Sequence, residues 1–448
     1  MEHLERKCPC PEVRLSVLKR LNMLFYAKGS ENEVLTQDDV REALCGVFTS
    51  LGAKHRVLAI PPDFTRLNSL GGEITAIVND YYGDTLTDIL PALGTHSPMT
   101  EEQMDVMFPG VPHGKFRVHD WRGGVEDVGE VPSEYIREIS EGKVDYSIKA
   151  QINRLLLDPG FDLILSIGQV VPHEVVGMAN HAKNIFVGVG GTDFIGKSHF
   201  LGASYGMERL MGHPGGPVRD ALEYARTHFL GNLPIVYILT VRASENGRMV
   251  TKGLFVGDDY ECFRQAAALS QKVNFVQLDR EINKCVVWLD PAEFKSTWLG
   301  NKAVYRTRMA LADNAELLIL APGLKEFGED VTIDKLVRRH GYHGTPSTLA
   351  AVESDPGLKA NLGAAAHLIH GSSEGRFSIT YAPGGGLTQE EIESVGFRYA
   401  HLEPMLERYN PDKLHDGWNT LEGGEEIYYI SNPALGLWAY KDRFRQGN

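Results

Sequence analysis

An aspartate, an arginine and two histidines fall where short apolar runs give way to polar loops: Asp63-Phe64-Thr65-Arg66, Gly94-Thr95-His96 and Pro172-His173. Imidazole is the side chain that both accepts and donates a proton near neutral pH. Two such groups on opposite faces of one carbon are what a racemase or epimerase needs. A single loop histidine is ordinarily just a solvated side chain, so the pair gains its meaning from position. Lys183 closes the segment Gly177-Met178-Ala179-Asn180-His181-Ala182-Lys183, and His199 follows Gly196-Lys197-Ser198. Neither carries a generic motif, and alone they read as a surface lysine and a helix-start histidine.

The elements that must position these residues are short apolar runs alternating with helical stretches, the pattern of an α/β protein with largely parallel sheets. The runs are 56–60, 88–93, 161–167, 185–189, 233–239, 284–289, 316–320 and 376–381. Each is short and ends in a turn or polar loop, as strands buried on both faces do. In such sheets ligands sit outside the carboxyl ends of the strands. The first run leads to Asp63 and Arg66, the second to His96 and the third to His173. A later run leads into Ala321-Pro322-Gly323-Leu324-Lys325-Glu326. Equivalent strand ends would bring these groups to one crevice. Asp259 to about Val276 reads as one amphipathic helix, after which a strand-helix series restarts at Lys284. Two α/β domains are therefore expected, residues 1–278 and 279–448, with the active-site cleft between them. The segment after about Tyr409 is expected to pack back on the first domain.

At 448 residues the chain is long for one core. With 43% hydrophobic and 23% charged residues it has a globular balance. A net charge of −14 argues against nucleic acid or an anionic membrane as partner, since both need clustered cations. A few local cations can still hold an anionic substrate. The five cysteines match no disulfide framework or zinc knuckle, and Cys8-Pro9-Cys10 lacks further ligands. Neither a signal peptide's apolar core nor an 18-residue apolar run is present, so the cytoplasm is the expected location.

In order and spacing, Asp63-x-Thr65-Arg66, Gly94-Thr95-His96, Pro172-His173, Lys183 and His199 resemble the catalytic domain of the nickel-pincer lactate racemase family. The last three follow at intervals of 10 and 16 residues. The resemblance covers at least residues 56–200 and continues more weakly into the second domain. There Trp298-Leu299-Gly300-Asn301-Lys302 stands where the family has Tyr-Gln-x-x-Lys. It implies an isomerase that inverts C2 of a 2-hydroxy acid. By the same resemblance, Lys183 anchors a pyridinium-derived mononucleotide through a thioamide, and His199 ligates the nickel held by that pincer. His96 and His173 exchange the hydroxyl proton while the pincer accepts the hydride. Arg66 and Lys302 position the substrate carboxylate, and Asp63 orients a cofactor hydroxyl or Arg66. Proteins that synthesise the cofactor are implied as partners.

The chain departs from that pattern in three places. Between Pro172-His173 and Lys183 the family's glycine- and serine-rich turn is reduced to one glycine, Gly177, so Asn180 and His181 are expected to grip the cofactor phosphate with side chains. Leu299 replaces the carboxylate-binding glutamine, and the segment 361–367 offers no tryptophan to close a lactate pocket. With Lys325 and His367 as added polar groups, a sugar acid of the gluconate/mannonate kind is the favoured substrate. A smaller 2-hydroxy acid such as lactate or malate is the alternative, and a non-enzymatic sugar-acid binding protein a second. A nicotinamide dehydrogenase is disfavoured because Gly188-Val189-Gly190-Gly191 fails the G-x-G-x-x-G spacing. A zinc hydrolase is disfavoured because His173-Glu174-Val175-Val176-Gly177 lacks its second histidine.

Overall fold

The computed structural model describes residues 23–245, 248–434 and 436–446. Cys8 and Cys10 lie outside the described residues. Two six-stranded sheets organise the chain. The first has the order Leu24–Gly29, Arg248–Gly257, Ile235–Glu245, Leu163–Gln169, Val57–Ile60, Leu86–Ile89. Its last four strands are parallel, and the first two join antiparallel as a hairpin and an edge. The second has the order Arg398–Tyr399, Ser378–Pro383, Leu311–Ala321, Ile282–Trp288, Glu426–Ile430, Gly417–Thr420, parallel except for its final pair. The fold is α/β with mostly parallel sheets.

Alternation along the central strands explains the layers. Leu58, Ile60 and Ile164 point into one core, while Val57, Ala59, Leu163 and Leu165 point into another. All seven are buried, as expected of strands covered by helices on both faces. From Val57–Ile60 the chain moves outward to Leu86–Ile89, whereas from Leu163–Gln169 it moves the opposite way to Ile235–Glu245. These two neighbours therefore form a topological switch point, and a crevice opens at their carboxyl ends. Asp63 and Arg66 emerge from one, and His173 from the other.

Helix Thr192–Tyr205 of the first unit packs against helix Leu362–His370 of the second, where Ala364, Ala365 and Ala366 are buried and small enough for close approach. Glu208 accepts hydrogen bonds from Arg308 Nε and Arg376 Nη1, both at 2.9 Å. Near the C-terminus, Trp438–Tyr440 pairs in parallel with Val276–Leu278, and Phe444 stacks on His213 at 4.4 Å between ring centroids. Among the described residues, no helix is long and apolar enough to cross a membrane.

One expected strand is not a strand. Residues 185–188 lie in a π-helical turn, Asn184–Gly188, that follows Lys183 and ends at Val189. A five-residue apolar run suits a buried helical turn as well as a strand. Here Asn184 decides, because its amide donates to Ile60 O (3.3 Å) and Ser166 Oγ (3.0 Å) and pins the turn across the switch point.

Candidate active site

Asp63, buried behind Pro61-Pro62, accepts from His96 Nδ1 at 2.6 Å and from the Thr65 hydroxyl at 2.5 Å. Burial opposes its ionisation, but His96, Thr65 and Arg66 outweigh that and hold the carboxyl below its ordinary value. With Nδ1–H donated to Asp63, His96 keeps the lone pair of Nε2 free as a base, and its side chain is exposed. Asp63 thus orients His96, a partner the sequence reading did not assign to it.

His173 is anchored in the opposite sense. Its Nδ1 accepts the Val175 N–H at 3.1 Å, so the neutral ring carries its proton on Nε2. Burial pushes its pKa well below the usual imidazole value, Glu174 opposes this, and Lys183, His199 and Arg66 reinforce it. Glu174 Oε2 stands 3.7 Å from His173 Nδ1 and 4.0 Å from Arg306 Nη2. Burial disfavours the Glu174 charge, yet His173 and Arg306 hold that carboxyl far below the ordinary range.

Lys183 stands at the mouth of the π-helical turn. Burial first, then Arg66 and Arg219, bring its amine down to about 8, against the pull of Glu174 and Asp63. An amine with that pKa is partly neutral near physiological pH and can act as a nucleophile. His199 lies within helix Thr192–Tyr205, not at its start, and donates Nδ1–H to Ile195 O at 2.6 Å. Its Nε2 is therefore free to ligate a metal, and its ring is 6.4 Å from that of His173. No group of three or more His, Cys, Asp or Glu side chains able to hold a metal occurs among the described residues. A metal here would take one protein ligand, His199, and its remaining ligands from a bound group. A nucleophilic amine, one free imidazole and surrounding cations fit an amine-anchored anionic cofactor.

From the second unit come Lys302 and Arg306, one helical turn apart. Burial, Arg66 and Arg306 bring Lys302 down to about 8, with Glu293 and Glu174 opposing. Arg306 Nη2, 4.0 Å from Glu174 Oε2, brings the two walls to one cleft, and Arg66 and Glu174 act on both lysines. Four cations (Arg66, Lys183, Lys302, Arg306) face Glu174 and the already occupied Asp63, an arrangement suited to an anion.

Two expected site residues are elsewhere. His181 is fully buried; Nδ1 meets Glu223 at 2.9 Å, Nε2 meets Asp259 O at 3.1 Å, and the ring lies 4.0 Å from that of Tyr237. Both nitrogens are committed, so it cannot grip a phosphate. Lys325 is exposed and faces Glu326 at 3.8 Å. Asn180 accepts the His181 N–H through its side chain and lies over Gly168, where a Cβ would come within 2.1 Å of Asn180 Nδ2. The turn is left-handed at Asn180 (φ 73°) and His181 (φ 61°) and is braced by Arg219, which donates to Met178 O at 2.6 Å and Asn180 O at 3.3 Å. The retained Gly177 is required: at φ +72°, a Cβ would sit 1.9 Å from His213 O. His367 is buried, its ring 4.4 Å from that of Trp298. Glu174, Arg306 and Arg219 were not expected at the site, and Trp298 was placed only where the family has a tyrosine, with no role given. Arg306 alone had a local signal, its four-residue spacing from Lys302 on one helix face.

Fold and site together define an α/β protein with paired imidazoles and excess cations gathered at a switch-point crevice. Residues 45–209 match the family model for the lactate racemase N-terminal domain, so this part of the chain is lactate racemase-like. The matched segment contains Asp63, Arg66, His96, His173, Lys183 and His199. A solved protein from Thermotoga maritima shares the fold with a TM-score of 0.74 at 22% identity, covering 91% of this chain and 98% of its own. The lactate racemase apoprotein from Thermoanaerobacterium thermosaccharolyticum has a TM-score of 0.67 at 15% identity, covering 92% of this chain and 94% of its own. No curated protein matches the sequence.

Proposed function

We propose that the chain is a 2-hydroxy acid epimerase that inverts C2, with a sugar acid as favoured substrate. The observation that carries this reading is the oppositely anchored histidine pair, His96 on Asp63 and His173 on the Val175 amide, flanking the cations that would hold a carboxylate. Arg66 and Lys302 bind the carboxylate from the two walls. His96 takes the C2 hydroxyl proton through its free Nε2, and Asp63 stabilises the imidazolium that results. On the opposite face His173 holds the hydroxyl through Nε2. Acting as a base there requires it to give up the Val175 contact. Lys183 would anchor the nickel-pincer nucleotide and His199 would ligate its nickel; when bound, that group would supply the hydride acceptor for C2.

The sugar-acid reading draws support from the polar second wall, where Arg306 and His367 add hydrogen-bonding groups beyond Lys302. Trp298 and Leu299 favour the second reading, a smaller acid with an alkyl chain, because both are apolar and partly open. The test is to load the protein with cofactor and follow C2 inversion of single enantiomers of gluconate, malate and lactate by chiral chromatography. Inversion of gluconate above the others supports the favoured reading. Inversion of lactate alone moves the assignment to the smaller acid. Binding of gluconate without inversion leaves a binding protein.

A further inference from the structure

We propose that His367 is a specificity-determining residue whose Nδ1 accepts a hydrogen bond from a substrate hydroxyl beyond C2. The proposal rests on the epimerase reading and narrows its substrate class to polyhydroxy acids. The argument is one of proton counting. Thr297 Oγ1 has a single proton and donates it to Phe327 O at 2.9 Å. In its 2.8 Å contact with the Tyr342 hydroxyl, Thr297 must therefore accept, and Tyr342 spends its only proton there. The 2.8 Å contact between Tyr342 Oη and His367 Nε2 then requires Nε2–H to donate. The chain of donors runs one way, His367 to Tyr342 to Thr297 to a backbone carbonyl, and every link is buried.

The ring is neutral, because burial and the neighbouring His370 hold its pKa down to about 3. A neutral imidazole protonated on Nε2 leaves Nδ1 as a bare acceptor, and Nδ1 has no hydrogen-bond partner among the described residues. One ring face is covered by Trp298, one turn before Lys302. The helix that carries His367 packs on the helix that carries His199. The tautomer is thereby fixed by the Tyr342–Thr297 chain, and the remaining ring nitrogen, Nδ1, accepts but cannot donate. A hydroxyl satisfies that acceptor, whereas a methyl leaves it unpaired, a difference sites built on hydrogen bonds discriminate strongly.

Two measurements test this. In the chain as purified, ¹⁵N-histidine NMR, with His367 assigned by the signals lost in His367→Gln, should show Nε2 protonated and Nδ1 bare. Nδ1 carrying the proton would overturn the proposal whatever the substrate. In cofactor-loaded protein, kcat/KM is compared for gluconate and 3-deoxygluconate, and for glycerate and lactate. The wild type should favour the hydroxylated member of each pair, and His367→Leu should lose about 10-fold or more of that preference. Tyr342→Phe, which frees the tautomer, should lose a few-fold, and His367→Asn, which keeps an acceptor near the Nδ1 position, should retain part. Inversion with an unchanged preference in His367→Leu sinks the assignment of His367 alone. Inversion of none of the four acids by the loaded wild type removes the epimerase reading and this proposal with it.

Discussion

The two walls of the cleft are built on different principles. On the first wall each imidazole is fixed by a second group: His96 by Asp63, His173 by the Val175 amide, His199 by the Ile195 carbonyl. On the second wall buried polar atoms lack partners: Arg306 Nε and His370 Nε2. A preorganised wall suits chemistry, because its groups need no rearrangement when the reaction begins. An unsatisfied wall suits recognition, because a ligand that pairs its atoms gains what the empty protein lacks. The first wall has unsatisfied groups too: Arg219 Nε lacks a partner, and the Lys183 amine has no hydrogen bond among the described residues.

The largest effects should come from breaking the ordered wall. His96→Ala or His173→Ala should lower kcat about 10²–10⁴-fold with little change in KM, read from initial rates on cofactor-loaded protein. Asp63→Asn leaves the base in place but frees its ring; kcat should fall on the order of 10²-fold. Substitution on the second wall should behave differently. Lys302→Met should raise KM about 10-fold or more and change kcat less, since it removes binding made in both ground and transition states. If Lys302→Met lowered kcat as far as His96→Ala does, the division between the walls would not hold.

That division also has a pH signature. Lys302 loses its charge above about 8, so carboxylate affinity should weaken as pH rises through that value. In Lys302→Arg the weakening should shrink to the part that Lys183 contributes, which titration calorimetry at pH 7 and 9 would read. The smallest effect concerns the brace beneath Lys183. Glu223 is opposed by burial, but His181, Arg226 and Arg219 bring its pKa down to about 2. A depressed carboxyl contributes stability that is complete above its unfolded value of about 4.3 and fades as pH falls toward about 2. Glu223→Gln should therefore cost on the order of 2 kcal/mol at neutral pH and less in acid, read as urea midpoints at pH 7 and pH 3.

Much of the first wall was legible, because strand ends at a switch point announce themselves as apolar runs followed by unusual polar loops. Asp63, His96 and His173 are such positions. The 185–189 run was misread because five apolar residues carry no period, and the side chain that settles the matter, Asn184, acts through strands far away in sequence. His181 was expected to replace a backbone donor of the family's glycine-rich turn, yet a left-handed turn swings it into the core against Glu223. The second wall was the least legible. Arg306 owes its position to packing between units, where it stands 4.0 Å from Glu174, and the polarity of the Tyr342–His367 pair depends on a hydroxyl proton count that only coordinates reveal.

The central claim is that Lys183 is the anchor for a nickel-bearing nucleotide. Its most direct test is intact mass with nickel analysis on protein coexpressed with the cofactor-synthesis proteins, beside Lys183→Ala. The account predicts a mass increment of a modified mononucleotide with bound nickel in the wild type, both lost in the variant. An unmodified, nickel-free wild type that still epimerises a substrate would contradict it and leave the chemistry to the histidines alone.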